Sequence, residues 1–271
     1  MTSTIARLYH SYGVTWRFAI LASILAVLLA VVSWNVLTYT VPKVVSRLAE
    51  LDAKTRTKIC AHRANSIPMY RQAIQYFDCL EIDVHVNPPV GGPPAVYHPP
   101  VENNHGLTLD FLLTHEDLPK GRLWLDVKDL SEDNWNAFHE RLVRLIPPDR
   151  RGDVIVETVW SESSVRQAAT AFRNSGFAFS YYLPTDEAIA CGNLRTLACD
   201  DFRRQVLSTV EMGFSHLSFD AHAYSFVLSI NDELPAKVRL LTWDLSRMWP
   251  RKTLLDRVDV YIVTFPSPFA T

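Results

Sequence analysis

The chain has 271 residues, with 27 basic and 29 acidic side chains and a formal net charge of -2 at pH 7. This length allows one large domain or two small ones. A sequence pI near 6.5 offers no surplus of positive charge, so we expect no nucleic-acid partner.

The N-terminal part of the chain carries an apolar segment that is long enough to cross a membrane. Residues 18–41 include no charged side chain, and about 20 apolar residues suffice to span a hydrocarbon core. We therefore expect a single-pass transmembrane anchor at 18–41, with an N-terminal tail at 1–17 and an amphipathic linker at 42–57. A cleaved secretory signal is the alternative, but its apolar core usually holds only about 7–15 residues.

Two arguments about the membrane face of the remaining domain oppose each other. Basic residues are more numerous after the span than before it, which by the positive-inside rule would place the domain in the cytoplasm. Single N-terminal anchors with short tails nevertheless often export the large domain. On this ground we expect the extracytoplasmic side.

From residue 58 to the C-terminus, strand-like and helix-like segments alternate. This pattern predicts one (β/α)₈ TIM barrel over 58–271. An open doubly wound sheet usually has fewer strands, and the chain lacks a G-x-G-x-x-G phosphate fingerprint. The predicted strands are 58–62, 79–86, 122–128, 153–158, 177–182, 214–220, 237–243 and 259–264. The predicted helices are 66–77, 108–115, 131–146, 161–174, 200–212, 222–232 and 248–256, with Ser131 and Ser161 as N-caps and an irregular loop at 88–100.

Two carboxylates end the second predicted strand in the sequence Glu81-Ile82-Asp83. Side chains alternate along a strand, so Glu81 and Asp83 share a face and repel each other. A divalent cation would relieve that repulsion, and oxygen ligands suit Mg²⁺ or Ca²⁺. Asp126, which ends the third strand, could complete a site of three carboxylates.

Two histidines lie where they could act on opposite sides of a reacting group. His62 ends the first strand and His98 follows the second, so one could serve as general base and the other as general acid. Arg63 could pair with a phosphate or be a solvated loop arginine. Lys128 could hold a phosphate oxygen or form an ion pair with Asp126.

Other polar residues near these strand ends are secondary candidates. Asn65 could bind substrate or cap the following helix, and His105 competes with His98 in the same loop. Glu157 ends the fourth strand and is a candidate for substrate contact. Asp220, at the end of the sixth strand, is a candidate for the barrel mouth.

In this order, the motifs resemble the glycerophosphodiester phosphodiesterase family and its phospholipase-C-like superfamily. That family opens with His-Arg on the first strand, Glu-x-Asp on the second and a further His. Here 19 residues separate His62 from Glu81, and 15 separate Asp83 from His98. The resemblance implies a TIM barrel and a metal-dependent phosphoric diester hydrolase with catalytic histidines.

The chain departs from this family at the third strand. The family usually has Glu-x-Lys, whereas this chain has Asp126-Val127-Lys128, as in the sphingomyelinase-D-like phospholipases. Those enzymes and the glycerophosphodiesterases both carry a Trp late in the barrel, which Trp243 could supply for substrate binding. A core aromatic is the alternative for Trp243. Pro99, after His98, replaces the usual Asp.

The cysteines show no C-x-x-C spacing that would indicate zinc. We expect Cys60 and Cys79 inside the barrel, as small core thiols beneath the polar residues. Cys191 and Cys199 could form a disulfide in an exported domain, although unpaired thiols are the favoured expectation.

These observations predict a membrane-anchored phosphodiesterase that uses Mg²⁺ or Ca²⁺ and acts on a phosphodiester or phospholipid-derived substrate. The departures leave two alternatives open. One is a phospholipase-D-like activity on lysophospholipid or sphingolipid. The other is a catalytically inactive barrel that binds lipid headgroups.

Overall fold

The computed structural model describes residues 20–28, 41–88, 92–98, 106–192, 196–244 and 252–265. The chain divides into two compact units, and the larger one, Arg47–Phe265, contains the barrel. In the smaller unit, residues 20–28 are helical (α1) and their side chains are exposed. The tail at 1–17 and most of the anchor expected at 18–41 lie outside the described residues. Within the described ranges, no helix is both long and apolar enough to cross a membrane.

The larger unit is a closed parallel barrel of eight strands with helices around it. The strand order is β1-β9-β8-β7-β6-β5-β4-β2, and parallel pairing of β1 with β2 closes the ring. A ninth strand, β3, pairs antiparallel with β2 at its outer edge. The strands are β1 Ile59–Ala61, β2 Cys79–His85, β3 Ala95–Val96, β4 Leu123–Val127, β5 Val154–Thr158, β6 Ala178–Tyr182, β7 His216–Asp220, β8 Arg239–Trp243 and β9 Val260–Val263.

The barrel expectation is confirmed, and all eight predicted strands occur. β3 was not predicted, because the segment 88–100 contains six prolines and two glycines and reads as an irregular loop. The short β3 nevertheless pairs Val96 with Val84 and Ala95 with His85. It returns the chain from the loop to the end of β2.

Helices follow most strands, as expected for this architecture. They are α2 Val41–Glu50, α3 Ala53–Arg56, α4 Ile67–Ala73, α5 Leu109–His115, α6 Trp135–Leu145, α7 Val165–Asn174, α8 Thr185–Cys191, α9 Leu197–Val210, α10 Tyr224–Ile230 and α11 Lys252–Leu255. The linker predicted at 42–57 contains α2 and α3. The sequence did not predict α8.

The two predicted N-caps are wrong. α6 and α7 begin after Asn134 and Ser164. The Asn134 side chain accepts from the Ser131 N–H and donates to the Asp129 carbonyl. These bonds fold residues 129–134 into a turn, so the cap position of α6 lies three residues later than Ser131.

The barrel interior has an apolar floor. Lumen-facing side chains from six strands and two partly buried neighbours pack there: Cys60, Cys79, Trp124, Ile155, Leu241, Val260 and Ile262, with Ala178 and Trp243 against them. The opposite face of each strand is buried under the helices, which explains why these parallel strands are apolar on both faces. The polar residues lie one layer above this floor, towards the carboxyl ends of the strands.

All four cysteines form disulfide bonds, which corrects the expectation of free thiols. Cys60 and Cys79 are fully buried in the lumen, as expected, but they are also register partners on β1 and β2. Their Cα atoms are 4.4 Å apart, a separation that a disulfide can bridge. Cys191, at the end of α8, is bonded to Cys199 in α9.

Candidate active site

A pocket of about 350 Å³ opens at the carboxyl ends of the barrel strands. This is the face at which TIM barrels carry their active sites. All eight predicted site residues line it: His62, Arg63, Glu81, Asp83, His98, Asp126, Lys128 and Trp243. The structure thus brings together residues that lie up to about 180 positions apart in the sequence.

Three carboxylates at one side of the pocket could hold a metal ion. Each of Glu81, Asp83 and Asp126 offers one oxygen, and these oxygens lie within 4.8 Å of one another. Asp83 and Asp126 are register partners on neighbouring parallel strands, and Glu81 precedes Asp83 on the same face of β2. An all-oxygen donor set of this kind fits Mg²⁺ or Ca²⁺.

The electrostatics of this cluster favour a cation. Burial raises the pKa of Glu81 well above its usual value, and the negative charges of Asp83 and Asp126 raise it further. The pKa of Asp126 is also raised, mainly by burial and partly by Asp83. A cation among these carboxylates would relieve their mutual repulsion.

Lys128 supplies one positive charge to the cluster. Its Nζ lies 2.7 Å from Asp83 Oδ1 and also contacts Asp126 Oδ2. Burial opposes the ammonium form, but the two carboxylates more than offset this and raise the pKa of Lys128. The ion pair considered as the alternative role for Lys128 is present, and its contact with a phosphate stays a prediction.

Asn65 fixes the orientation of Asp83. The Asn65 Nδ2 donates to Asp83 Oδ2 at 2.6 Å, and its Oδ1 accepts from the Asp83 backbone N–H at 2.9 Å. The cap of α4 is Ser66 instead, whose hydroxyl accepts from the Met69 N–H. Asn65 is therefore a positioning residue for a carboxylate, a role that neither reading of the sequence included.

Arg63 connects the cluster to the second histidine. Its backbone has a positive φ of 55°, and its N–H donates to Glu81 Oε2 at 2.7 Å. Its guanidinium Nη2 donates to His98 Nε2 at 2.7 Å, and Nε lies 3.8 Å from Asp83 Oδ2. Arg63 is therefore not a solvated loop arginine.

His62 directly follows β1 and lies beside the carboxylates. Its Nε2 is 3.9 Å from Glu81 Oε2. Burial, reinforced by the positive charge of Arg63, lowers the pKa of His62 to about 3. The imidazole is therefore neutral near pH 7 and can accept a proton. His98 Nε2 accepts a hydrogen bond from Arg63, so that nitrogen carries no proton in this arrangement.

An aromatic wall closes the other side of the pocket. Trp243 stacks on Tyr182 with ring centroids 5.2 Å apart, and its edge contacts Trp124. Glu157 and Asp220 also line the pocket. Tyr182 and Trp124 were not predicted as site residues. The available signal was strand alternation, since Trp124 shares a face with Asp126, and Tyr182 shares one with Ser180. His105 lies outside the described residues.

No family model matches the chain, and no curated protein matches it. Among similar solved structures, a glycerophosphodiester phosphodiesterase from Agrobacterium tumefaciens str. C58 is 12% identical with a TM-score of 0.41, covering 77% of this chain and 94% of that chain. A tryptophan synthase from M. tuberculosis is 11% identical with a TM-score of 0.46, covering 81% of this chain and 86% of that chain. Likenesses of this size do not select an activity. An activity has to be inferred from the residues of the pocket.

Proposed function

We propose that this barrel is a metal-dependent phosphodiesterase that cleaves glycerophosphodiesters or related phospholipid headgroup diesters. One observation carries the proposal. Two histidines and a cluster of three carboxylates line the same pocket at the carboxyl end of the barrel. Burial of this many ionisable groups is costly unless they serve a ligand or a reaction.

Glu81, Asp83 and Asp126 would hold the cation, Mg²⁺ or Ca²⁺. Such a cation, when bound, neutralises charge that develops on the phosphate oxygens. Asn65 would keep Asp83 in the orientation that the ion requires. Lys128, already within 2.7 Å of Asp83, would bind a phosphate oxygen from the same side.

The two histidines would divide the proton transfers. His62 is neutral near pH 7, so it would take the proton from the nucleophile, which is water or a hydroxyl of the substrate itself. His98 would donate a proton to the leaving alkoxide through Nδ1, because its Nε2 accepts from Arg63. Arg63, which contacts His98, would bind a phosphate oxygen and position that histidine against the leaving group.

We also propose that an N-terminal membrane anchor at 18–41 holds the barrel on the extracytoplasmic side. The uncharged sequence of that segment supports the anchor. The disulfides support the compartment, because disulfides form and persist mainly where the surroundings are oxidising. Protease protection of the domain in intact cells would test this placement.

The reaction can be tested with bis(p-nitrophenyl) phosphate and glycerophosphocholine, in Mg²⁺, Ca²⁺ or EDTA. We expect cation-dependent turnover that the Glu81→Ala, Asp83→Ala double variant abolishes. His62→Ala and His98→Ala should each lose about 10²–10⁴ in rate. His115→Ala, at an exposed histidine of α5, is the matched control. Near-wild-type turnover in both active-site variants would show the mechanism to be wrong.

A phospholipase-D-like reaction on lysophospholipid or sphingolipid is the second candidate. The Asp126-x-Lys128 pair favours it, as does the Tyr182–Trp243 stack, since an aromatic wall can bind a quaternary ammonium group. Release of choline, rather than of glycerol phosphate, would select this reaction. Binding of headgroups without product at any cation concentration would instead select the inactive barrel.

A further inference from the structure

A stack of two aromatic rings lies beside the second histidine of the pocket. The imidazole of His85, at the end of β2, stacks on the phenol ring of Tyr97, with ring centroids 4.0 Å apart and an interplanar angle of 13°. Tyr97 is 9% exposed and directly precedes His98. Neither ring of the stack lines the pocket, whereas His98 does. The stack can therefore affect the reaction only through a neighbour.

The antiparallel pairing of β2 with β3 brings the two rings together. His85 is the register partner of Ala95, and Tyr97 follows Ala95 by two residues, the spacing that places side chains on one face of an extended chain. Such diagonal neighbours on paired strands are within reach of aromatic side chains. β3 ends at Val96, so Tyr97 is the first residue beyond the strand and His98 is the second.

His85 lies on a part of the barrel that is firmly held. The carboxylate of Asp129 accepts hydrogen bonds from the N–H groups of Val86 and Asn87 at 2.7 and 2.9 Å, which ties the end of β2 to the chain after β4. The His85 Nε2 is buried and has no hydrogen-bond partner among the described residues. The face of the imidazole, rather than this nitrogen, therefore makes the contact with Tyr97.

The position of the backbone at His98 decides where its imidazole can donate a proton. The Arg63 Nη2 donates to His98 Nε2 at 2.7 Å, and the direction of Nδ1 then depends on where the backbone lies. Pro99 and Pro100 follow in the sequence and have no N–H that could anchor the chain by donating. On the other side of His98, the ring of Tyr97 is anchored by the stack.

We propose that the His85–Tyr97 stack positions His98 for protonation of the leaving alkoxide, so that His85 and Tyr97 are positioning residues of the general-acid step. The inference rests on the proposed phosphodiesterase function. A general acid must come within about 2.6–3.2 Å of the atom that it protonates. A small displacement of His98 is therefore enough to slow this transfer, while deprotonation of the nucleophile by His62 continues.

The test compares two diesters that differ in their need for a proton. Glycerophosphocholine releases an alkoxide, which must be protonated, whereas bis(p-nitrophenyl) phosphate releases p-nitrophenolate, a weak base that leaves without a proton. The readout is the kcat/KM for glycerophosphocholine divided by that for bis(p-nitrophenyl) phosphate. In His85→Ala and in Tyr97→Leu, we expect this ratio to fall about 10–100-fold. Turnover of the aryl ester should stay close to that of the wild type, which also shows that the variant is folded.

Three further variants separate positioning from a general structural role. His85→Phe keeps a ring face and removes the unpartnered Nε2, so it should keep the wild-type ratio. His85→Ala in a His98→Ala background should cause no further fall, because the stack acts through His98. His115→Ala is the matched control, since His115 stacks on Phe111 in α5 with centroids 4.4 Å apart and neither residue lines the pocket. Breaking that stack should leave the ratio unchanged.

The outcomes distinguish the positioning role from the reaction itself. A ratio that falls in His85→Ala and Tyr97→Leu, but not in His85→Phe or His115→Ala, would establish the role. Equal losses on both esters would overturn it, as would a fall in His85→Phe as large as that in His85→Ala. Cation-dependent cleavage of both esters by the wild type would still leave the phosphodiesterase standing. If the wild type cleaves neither ester, both proposals are overturned. Should His85→Ala fail to fold, Tyr97→Leu decides by itself.

Discussion

The carboxylate cluster makes a quantitative prediction about the stability of the domain. Removal of divalent cations with EDTA should lower the melting temperature, and returning Ca²⁺ or Mg²⁺ should restore it. Glu81→Gln should lose this response. The glutamine keeps an oxygen that can accept from the Arg63 N–H, as Glu81 Oε2 does at 2.7 Å, but it removes one negative charge from the cluster.

The expected shift in melting temperature follows from the repulsion within the cluster and from the stability gained when a cation binds. Two unit charges 4.8 Å apart repel by about 3–4 kcal/mol at an effective dielectric near 20. Burial raises the pKa of Glu81, the negative charges of Asp83 and Asp126 raise it further, and the single positive charge of Lys128 only partly opposes them. A cation at a hundred times its dissociation constant stabilises the folded state by about 2.7 kcal/mol. For a domain of this size, that corresponds to a rise of about 5–10 °C in melting temperature.

Differential scanning fluorimetry across a cation titration measures this effect. Glu132→Gln, at an exposed acidic residue between β4 and α6, is the matched control and should respond as the wild type does. Glu81→Gln should melt at or above the temperature of the EDTA-treated wild type, since a repulsive charge is gone. No cation-dependent shift in the wild type, or a full shift in Glu81→Gln, would refute this account of the cluster.

Three further predictions concern the surroundings of the site and the barrel beneath it. Asn65→Ala releases Asp83 and should weaken Ca²⁺ affinity about 10–100-fold in isothermal titration calorimetry. Burial, followed by repulsion from arginines, lowers the pKa of His216 from 6.5 to about 3, so the unfolded chain binds a proton below pH 6.5 that the folded chain does not. Wild-type stability should therefore fall from pH 7.5 to pH 5 by about 2 kcal/mol more than that of His216→Phe, as measured by urea unfolding. Replacing both Cys60 and Cys79 by Ala opens a link across 19 residues and should lower the free energy of unfolding by about 3 kcal/mol.

Each of these predictions has a result that contradicts it. Unchanged Ca²⁺ affinity in Asn65→Ala would mean that Asp83 does not need its amide partner. Equal pH slopes for the wild type and His216→Phe would mean that His216 is protonated in the folded state. An undiminished unfolding free energy in the double cysteine variant would mean that the disulfide contributes nothing beyond the packing of the floor.

The strands were predictable because each carries an apolar run that ends in polar residues. β4 is an example, since Leu123, Trp124 and Leu125 are buried and Asp126 follows them at the mouth. The same feature predicted which residues would meet, because the carboxyl ends of parallel strands lie at one face of a barrel. α8 was missed because it is a short helix that begins directly after Pro184, within a segment that reads as a loop.

Contacts that depend on lateral position were not predictable. The Cys60–Cys79 bond requires two strands to be aligned in one register, and nothing in the sequence near either cysteine specifies that alignment. Glu157 is a single acidic residue at a strand end and belongs to no motif. Only the structure shows that it lies beside Asp126. His98 reaches the pocket because β3 pairs back onto β2 in a segment rich in proline and glycine.

Arg63 shows how the structure changes the meaning of a sequence motif. As part of a His-Arg pair it reads as a phosphate ligand, yet its Nη2 already donates to His98. Its Nε is buried and has no hydrogen-bond partner among the described residues, although it lies 3.8 Å from Asp83 Oδ2. The proposed phosphate contact of Arg63 would therefore use Nε, while Nη2 stays bonded to His98.

The backbone of Arg63 supports this double role. A left-handed conformation costs a non-glycine residue about 1–2 kcal/mol, so the φ of 55° persists only because the surroundings hold it. What holds it is the hydrogen bond from its N–H to Glu81, a predicted metal ligand. Arg63 thus contacts both the carboxylate cluster and His98. Disturbing the carboxylate cluster should consequently displace His98 as well, even though 17 residues separate His98 from Glu81 in the sequence.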